Sequence, residues 1–180
     1  LCIACGDKAD DAITVFPKLE SPPGRLELIS QLANGASIYI DYAHTPDALS
    51  SLLSALRPRT PGELKVVFGC GGNRDRHKRP KMGYIAQKLA DEIIITDDNP
   101  RAESPAKIRK EILSACPKGI EIDDRADAIK YAISKLSKND VLVVTGKGHE
   151  KEQIIGDRVL PFDDAAIIRA LIQHHKEDVL

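Results

Sequence analysis

The sequence has 180 residues, 42% of them hydrophobic and 29% charged, which is typical of one globular domain or of one domain with a short extra segment. Its 26 basic and 27 acidic residues nearly cancel, so the net charge of −1 gives no overall field that would attract nucleic acid or an anionic membrane. No apolar run approaches the roughly 18 residues of a membrane span and no signal-like start is visible, so we expect a cytoplasmic protein without membrane insertion.

The beginning of the chain resembles the end of something that precedes this domain, because it opens without an initiator methionine. Pro22, Pro23 and Gly24 then form a stiff break of the kind found between domains. We therefore predict that residues 1–20 are the tail of a preceding domain or a linker, and that residues 21–180 form the domain itself.

Four cysteines are spread along the chain, and Cys2 and Cys5 have the spacing of a metal-ligand or redox pair. A zinc site would need a second CxxC or an HxxxH pair, and the close histidine pair His174 and His175 lies in the far tail. We therefore favour small apolar roles for these cysteines and predict no metal site. Cysteines this sparse are typical of a reducing cytoplasm.

From Ser37 onward, short β-branched runs alternate with segments whose apolar residues recur at helical spacing. The predicted strands are 37–44, 64–70, 92–98, 119–124 and 140–148. The predicted helices are 46–56, 81–90, 104–116, 125–137 and 163–175. A small hairpin is expected around Gly156 and Asp157.

This alternation predicts an α/β fold, a doubly wound and mostly parallel Rossmann-like sheet with a small β-hairpin near the C-terminus. Ligands of such sheets bind outside the carboxyl ends of the strands. Polar clusters follow four of the predicted strands, so we expect these clusters to meet at one edge. They occupy residues 41–47, 69–80, 96–101 and 145–150.

The cluster at 69–80 combines three glycines with a run of cationic side chains that extends from Arg74 to Lys81. Glycines after a strand let backbone N–H groups approach an anion. The segment matches neither the P-loop pattern GxxxxGK[ST] nor the dinucleotide pattern GxGxxG. A solvated basic loop is one interpretation, but the position after a core strand favours binding of a carboxylate or a phosphate.

The other clusters are ambiguous when each is taken alone. Thr45 and Pro46 suffice to start a helix, which leaves Asp41 and His44 without a capping role. Arg101 offers a fork for a carboxylate, although the residues before it also favour a plain turn.

The loop at 145–150 also allows two interpretations. Lys147 could pair with a phosphate and Glu150 with an ammonium, or the loop could be glycine-rich with incidental charges.

Six motifs in this order resemble the C-terminal domain of the Mur ligases, and within that family the members that add meso-diaminopimelate. They are PPGRLE (22–27), DYAHTPDAL (41–49), FGCGGNRDRHKRPKMG (68–83), TDDNPR (96–101), DRADAI (124–129) and GKGHEKEQIIG (146–156). The resemblance covers the chain from about residue 20 to its end. The stretch before it is similar to the close of the family's central ATPase domain.

The resemblance implies an ATP-dependent ligase of peptidoglycan precursor synthesis that requires Mg²⁺. Such a ligase joins meso-diaminopimelate to the D-glutamate carboxylate of UDP-MurNAc-L-Ala-D-Glu, after ATP has converted that carboxylate to an acyl phosphate. In the family, an N-terminal domain holds the UDP-sugar and a central domain carries the P-loop and the Mg²⁺ site. This chain resembles the third domain alone. Its partners would be its own N-terminal and central domains, and we expect no catalytic residue in it.

The resemblance also carries site residues onto this sequence by position. The implied meso-diaminopimelate contacts are Arg74, Asp98, Asn99, Pro100, Arg101, Gly146 and Glu150. Arg101 or Arg74 would pair with the distal carboxylate of the substrate, and the Gly146 carbonyl and Glu150 would accept from its ammonium. The positions that approach ATP in the family correspond to Arg25, Asp41 and His44. Asn73 stands where the family usually has aspartate.

Two alternatives stay open at this point. The first is a lysine-adding or other Mur-type ligase, including folylpolyglutamate synthetase relatives. Lysine lacks the distal carboxylate, and a site built for a polar partner rejects an analogue without it by about 10⁴–10⁵, so Arg101 argues against lysine. The second is a non-catalytic Rossmann-like module that binds an anionic metabolite.

Overall fold

The structure is a computed structural model and describes residues 6, 8–14 and 21–177. The predictions made for Cys2 and Cys5 lie outside the described residues, as do the side chains of His174 and His175. In the first 20 residues a short helix is described, and their assignment to a preceding domain or linker stays a prediction.

In this part of the chain, helices alternate with strands from residue 37 onward, as predicted. The strands are β1 (Glu27–Gln31), β2 (Ser37–Asp41), β3 (Leu64–Phe68), β4 (Glu92–Ile95), β5 (Ile120–Glu121), β6 (Val141–Thr145), β7 (Glu152–Ile155) and β8 (Arg158–Pro161). The helices are α1 (Ala9–Thr14), α2 (Pro46–Leu56), α3 (Lys78–Leu89), α4 (Pro105–Leu113), α5 (Arg125–Ser134) and α6 (Asp164–Glu177). A short 3-10 helix, Arg57–Arg59, follows α2.

The main sheet has six strands in the order β1-β2-β6-β3-β4-β5. All neighbouring pairs from β2 to β5 are parallel, whereas β1 pairs antiparallel with β2 at one edge. The elements predicted from the sequence omit β1. Its residues are half-buried or exposed and its register shifts between Leu28 and Ser30, so it lacks the apolar run of a central strand.

The strand order creates a crevice at the carboxyl edge. From β2 the chain passes through α2, β3, α3, β4 and α4 to β5, and then returns through α5 to place β6 between β2 and β3. Helices α2, α3 and α4 pack against one another, and α5 packs against α6. The loops after β2, β3 and β6 therefore leave adjacent strands in a sheet with helices on both faces, which is where ligands bind in such folds.

Successive residues of the central strands serve two hydrophobic cores. In β3, Val66 and Phe68 pack in the core on the α2, α3 and α4 side, while Val67 packs in the core on the α5 and α6 side. This alternation follows from the two-residue period of a strand. It explains why β3 and β6 are buried along their length and largely apolar. The charged exception is Lys65 of β3, which pairs with Glu63 and Glu92.

The starts of α2 and α4 agree with the sequence signals, whereas α3 begins at Lys78, three residues before the predicted start. The Thr45 hydroxyl accepts a hydrogen bond from the Ala48 N–H at 3.3 Å, and Pro46 is the first residue of α2. Ser104 precedes Pro105 at the start of α4, but its side chain forms no capping bond. No helix among the described residues is long and apolar enough to cross a membrane.

Candidate functional site

A cavity of about 440 Å³ opens at the carboxyl edge of the sheet. The loops that follow β2, β3, β4 and β6 form its walls, so the convergence predicted from the sequence is observed. The cavity is lined by six of the seven residues that the resemblance assigns to substrate binding, namely Arg74, Asp98, Asn99, Arg101, Gly146 and Glu150. Pro100 is buried beside them and does not line the cavity.

Arg101 is held in an uncommon backbone conformation with φ of +52°. The hairpin β7–β8 enforces it, because the Arg101 N–H donates to the Ile154 carbonyl at 3.0 Å and the Arg101 carbonyl accepts from the Gly156 N–H at 2.8 Å. The guanidinium donates to the carbonyls of Gly72 and Asn99 at 3.0 and 3.3 Å. Both acceptors are neutral and no ion pair forms with it in the described chain, so the guanidinium brings an uncompensated positive charge to the cavity.

Arg74 stands on the wall that follows β3, where its side chain is exposed and lines the cavity. The residue before it, Asn73, has φ of +54°, which asparagine tolerates better than most residues. The backbone N–H of Asn73 donates to the Glu103 carboxylate at 2.5 Å. The backbone of Asn73, and not the amide that replaces the family's usual carboxylate, thus makes this contact.

Asp98 and Gly146 face each other at the floor of the cavity. Asp98 is buried, and one of its carboxylate oxygens accepts from the Asn99 N–H at 2.6 Å. The other oxygen would lie 2.9 Å from a Cβ atom at Gly146, and Gly146 also has φ of +111°. Glycine is therefore required at this position both by space and by backbone conformation. An anionic oxygen and the Gly146 backbone meet at the point where an ammonium group could be accepted.

The Asn99 side chain links the cavity walls. Its amide nitrogen donates to Glu150 at 3.0 Å, and its oxygen accepts from the Lys147 ammonium and from the Ile154 N–H, each at 3.0 Å. Three internal partners therefore fix Asn99 and orient Glu150, which is half-buried at the cavity. Asn99 lines the cavity, but its side chain is committed to positioning its neighbours.

For Lys147 the structure favours an internal role over pairing with a phosphate. Its side chain is fully buried and donates to Asn99 at 3.0 Å and to the Glu152 carbonyl at 2.6 Å. Burial lowers the pKa of the Lys147 ammonium below its usual value. The sequence showed the charge but not the direction in which the side chain points.

Two cations of the run after β3, Arg76 and Arg79, are neutralised by carboxylates of the protein. Arg79 is fully buried and pairs with Glu103 and Glu111, and Arg76 pairs with Glu103 at 3.0 Å. The Lys78 ammonium donates to a loop carbonyl at 2.7 Å. Arg74 and Lys78 are the cations of this run that line the cavity, so the expectation of an anion-binding loop is narrowed to these two side chains.

The residues assigned to the approach of ATP lie beside the same cavity. His44 lines it, whereas Asp41 uses its carboxylate to accept from two backbone N–H groups at 2.7 and 2.8 Å. The Arg25 guanidinium lies over the Tyr42 ring, 4.5 Å from its centre. Asp41 thus stabilises the local backbone through these two hydrogen bonds. The role of all three residues in the approach to ATP stays a prediction.

Glu103 was not among the predicted site residues. It follows Arg101 by two positions and precedes the start of α4, where an acidic residue is expected simply to complement a helix N-terminus. In the structure its carboxylate accepts from Arg79, Arg76 and the Asn73 N–H. Hydrogen bonds from Arg79 are the main reason that the pKa of Glu103 falls to about 2.

Cys70 also lines the cavity but is an unsuitable nucleophile. Burial raises the pKa of its thiol to about 12, so the neutral form prevails at physiological pH. Among the described residues, no group of three or more histidines, cysteines, aspartates or glutamates is arranged to hold a metal ion. The charged side chains that line the cavity, among them Arg74, Arg101 and Glu150, can bind and orient a charged ligand.

Sequence comparison places this geometry in a known family. A profile described as "Mur ligase, glutamate ligase domain" matches residues 24–148, more than half of the chain. The chain belongs to the Mur ligase family. The resemblance seen in the motifs is thereby confirmed for the domain that carries the cavity.

Relatives within the family are similar over nearly the whole chain. It is 49% identical over 172 residues to the UDP-N-acetylmuramoyl-L-alanyl-D-glutamate–2,6-diaminopimelate ligase of Agrobacterium fabrum, covering 96% of this chain and 35% of that ligase. It is 53% identical over 166 residues to the ligase of the same name from Caulobacter vibrioides, covering 92% and 34%. The chain spans about a third of the length of these relatives.

Solved structures give the same result for the fold. A UDP-N-acetylmuramoyl-L-alanyl-D-glutamate–2,6-diaminopimelate ligase superposes with a TM-score of 0.82 at 36% identity, covering 97% of this chain and 36% of that chain. The UDP-N-acetylmuramate–alanine ligase from Thermotoga maritima superposes with a TM-score of 0.69 at 17% identity, covering 98% and 35%. The predicted α/β fold, with its mostly parallel sheet and C-terminal hairpin, is confirmed.

Proposed function

We propose that this chain is the amino-acid-binding C-terminal domain of an ATP-dependent ligase that adds meso-diaminopimelate to UDP-MurNAc-L-Ala-D-Glu. The observation that carries the proposal is the Arg101 guanidinium, which is fixed at the cavity wall by carbonyl acceptors and has no carboxylate partner in the described chain. Relatives at about half identity bear the name of a ligase for 2,6-diaminopimelate, which agrees with this substrate.

The charges of the cavity match such an amino acid. meso-Diaminopimelate carries a carboxylate and an ammonium at its far end, and the cavity offers the cations Arg101 and Arg74 together with the acceptors Asp98 and Glu150. A guanidinium can bind a carboxylate through two parallel hydrogen bonds. Lysine would satisfy the acceptors and leave Arg101 without its partner.

The contribution of this chain is to hold and orient the incoming amino acid. A carboxylate alone is a poor electrophile, so the D-glutamate carboxylate would take the γ-phosphoryl group of ATP to become an acyl phosphate, with ADP as the leaving group. The amine would then attack the acyl carbon, lose a proton and displace phosphate to form the amide. As the resemblance implies, the Mg²⁺ that the family requires would be held by the central domain. The UDP-sugar would be held by the N-terminal domain, in the cytoplasm.

The test is Arg101→Ala in a ligase that joins this chain to N-terminal and central domains. We expect kcat/KM for meso-diaminopimelate to fall by about 100-fold or more, because a charged group of the substrate loses its partner. Turnover of lysine, measured in competition in the same amide-forming assay, should change little. Arg169→Ala is a matched control, since Arg169 is exposed on α6 and outside the cavity.

Other results would assign a different function. Unchanged meso-diaminopimelate turnover in Arg101→Ala would contradict the proposed role of Arg101. Faster turnover of lysine than of meso-diaminopimelate by the unmodified ligase would identify a lysine-adding enzyme. Amide formation from neither amino acid would favour a non-catalytic anion-binding module.

A further inference from the structure

Two loops interlock beside the cavity: the Arg74 loop (residues 69–77, after β3) and the Arg101 loop (residues 96–104, after β4). The Gly72 N–H donates to the Asn99 carbonyl at 2.8 Å, and the Arg101 guanidinium donates to the Gly72 carbonyl at 3.0 Å. A Cβ atom at Gly72 would lie only 1.8 Å from the carbonyl oxygen of Pro100. The two loops are therefore in direct backbone contact at Gly72.

Glu103 makes a second connection between the loops. One oxygen of its carboxylate accepts from the Asn73 N–H at 2.5 Å and from Arg79 at 3.0 Å. The other oxygen accepts from Arg79 at 3.1 Å and contacts the Arg76 guanidinium at 3.0 Å. A single carboxylate of the Arg101 loop thus binds the Arg74 loop on both sides of Arg74.

Arg79, on α3, holds the Glu103 carboxylate by donating to both of its oxygens. It is fully buried on α3, and besides Glu103 it donates to the Gly71 carbonyl at 3.1 Å and to Glu111 of α4 at 2.7 Å. Glu103 and Glu111 therefore share the task of neutralising Arg79. Only Glu103 also binds the backbone of the Arg74 loop, at Asn73.

The Arg74 loop needs such an anchor because residues 73–77 are exposed. Hydrogen bonds within the Arg74 loop do not attach it to the other wall of the cavity. An example is the His77 N–H, which donates to the Asp75 carboxylate at 2.9 Å. Arg74 itself follows directly after the Asn73 N–H that Glu103 binds. The backbone of Arg101, in contrast, is fixed by the hairpin β7–β8.

We propose that Glu103 is a positioning residue that fixes the separation of the Arg74 and Arg101 guanidinium groups and thereby sets the selectivity for an amino acid with a second carboxylate. The proposal rests on the proposed function for its substrate. Its structural part, the attachment of the Arg74 loop to the Arg101 loop through one carboxylate, is independent of it.

The test compares Glu103→Gln with Glu111→Gln in the ligase that joins this chain to N-terminal and central domains. Glutamine keeps the shape of the side chain but loses the charge and one acceptor oxygen, so it cannot hold Arg79, Arg76 and the Asn73 N–H together. We expect Glu103→Gln to lower the ratio of kcat/KM for meso-diaminopimelate to kcat/KM for lysine by about tenfold, chiefly through KM. Glu111→Gln, which also removes a partner of Arg79, should leave this ratio within about twofold.

Equal effects of the two variants on this ratio, or an unchanged ratio in Glu103→Gln, would overturn the proposal, since Glu103 would then act only through the charge of Arg79 or through general stability. Hydrogen exchange of the Asn73 amide provides a readout without substrate. It should accelerate in Glu103→Gln and not in Glu111→Gln, and equal exchange in both would also overturn the proposal. If the unmodified ligase does not use meso-diaminopimelate while this exchange differs as expected, the proposed function fails and the attachment of the loops stands.

Discussion

Two groups of cationic side chains in this domain differ in their partners. Arg79, Arg125 and Lys147 are fully buried and are held by carboxylates or carbonyls of the protein. Arg101 and Arg74 reach the cavity without an ion pair in the described chain. A buried cation with its own partners supports structure, whereas an unpaired one at a cavity wall is free to bind an anion. The residue type alone does not decide between these roles.

The pH dependence of stability tests the environment of Glu103. Its pKa is about 2 in the folded protein and 4.5 without such partners, so the unfolded chain takes up the proton first as the pH falls. The stabilisation by Glu103 should therefore be complete above about pH 4.5 and be lost as the pH falls toward 2. We expect the difference in free energy of unfolding between the unmodified chain and Glu103→Gln, measured with urea, to shrink across this window.

Contributions of other titrating groups cancel in that difference, because both proteins contain them. A difference that stays constant from pH 6 to about pH 2 would show that Glu103 is not held by its arginine partners.

At this scale the sequence motifs located the site but not the orientation of its side chains. Arg101 and Glu150 could be predicted to face a ligand because they follow buried strands at one sheet edge. The inward direction of Arg79 and Lys147 could not, since it depends on acceptors far away in the chain, Glu111 for Arg79 and Asn99 for Lys147. The role of Glu103 was hidden for the same reason.

At the scale of elements, prediction succeeded where a segment is buried on both faces or begins with a strong cap. β3 and β6 are buried along their length and largely apolar, and α2 begins at the predicted Pro46. The edge strand β1 was not predicted. It pairs with β2 on one side only, and its side chains are half-buried or exposed, so its sequence does not need to be apolar. A close contact between two loops also leaves little trace in the sequence except a glycine.

Gly72→Ala tests the contact between the loops. The added Cβ would lie 1.8 Å from the Pro100 carbonyl oxygen, so the backbone of one loop must move. We expect the free energy of unfolding to fall by about 3 kcal/mol, at the upper end of overpacking effects. Urea unfolding of the unmodified and variant chains measures this.

Gly156→Ala is the matched control. Gly156 has φ of +60° and an added Cβ there meets nothing within 4 Å, so only backbone strain of about 1 kcal/mol is expected. Equal losses in the two variants would mean that the loops are not in tight contact at Gly72.

At the scale of the whole domain, two hydrophobic cores lie on opposite faces of one sheet, and the cavity is at the edge where β6 separates β2 from β3. On the α5 and α6 side, a buried ion pair joins the two helices to this edge. Arg125 on α5 binds Asp164 on α6 through two hydrogen bonds of 2.8 Å and donates to the Thr145 carbonyl at 3.1 Å. Thr145 is followed directly by Gly146 of the cavity. Arg125 therefore both holds α5 against α6 and fixes the backbone next to the cavity.

Asp164→Asn should therefore destabilise the domain and disturb the cavity together. Both side chains are fully buried, and removing one charge leaves Arg125 uncompensated, which costs about 3–5 kcal/mol in such pairs. Urea unfolding measures the loss. Replacing both residues, in Arg125→Met with Asp164→Leu, should recover much of it, because the uncompensated charge is then absent.

Arg169→Gln provides the comparison with an exposed pair. Arg169 contacts Glu27 at 3.3 Å, and the two side chains are 55% and 25% exposed, so the free energy of unfolding should change by less than about 1 kcal/mol. If Asp164→Asn cost no more than this, the buried pair would not hold α5 and α6 together. If the double variant recovered stability but not binding of the amino acid, the hydrogen bond from Arg125 to Thr145 would be needed to place Gly146, and the pair would serve the site more than the fold.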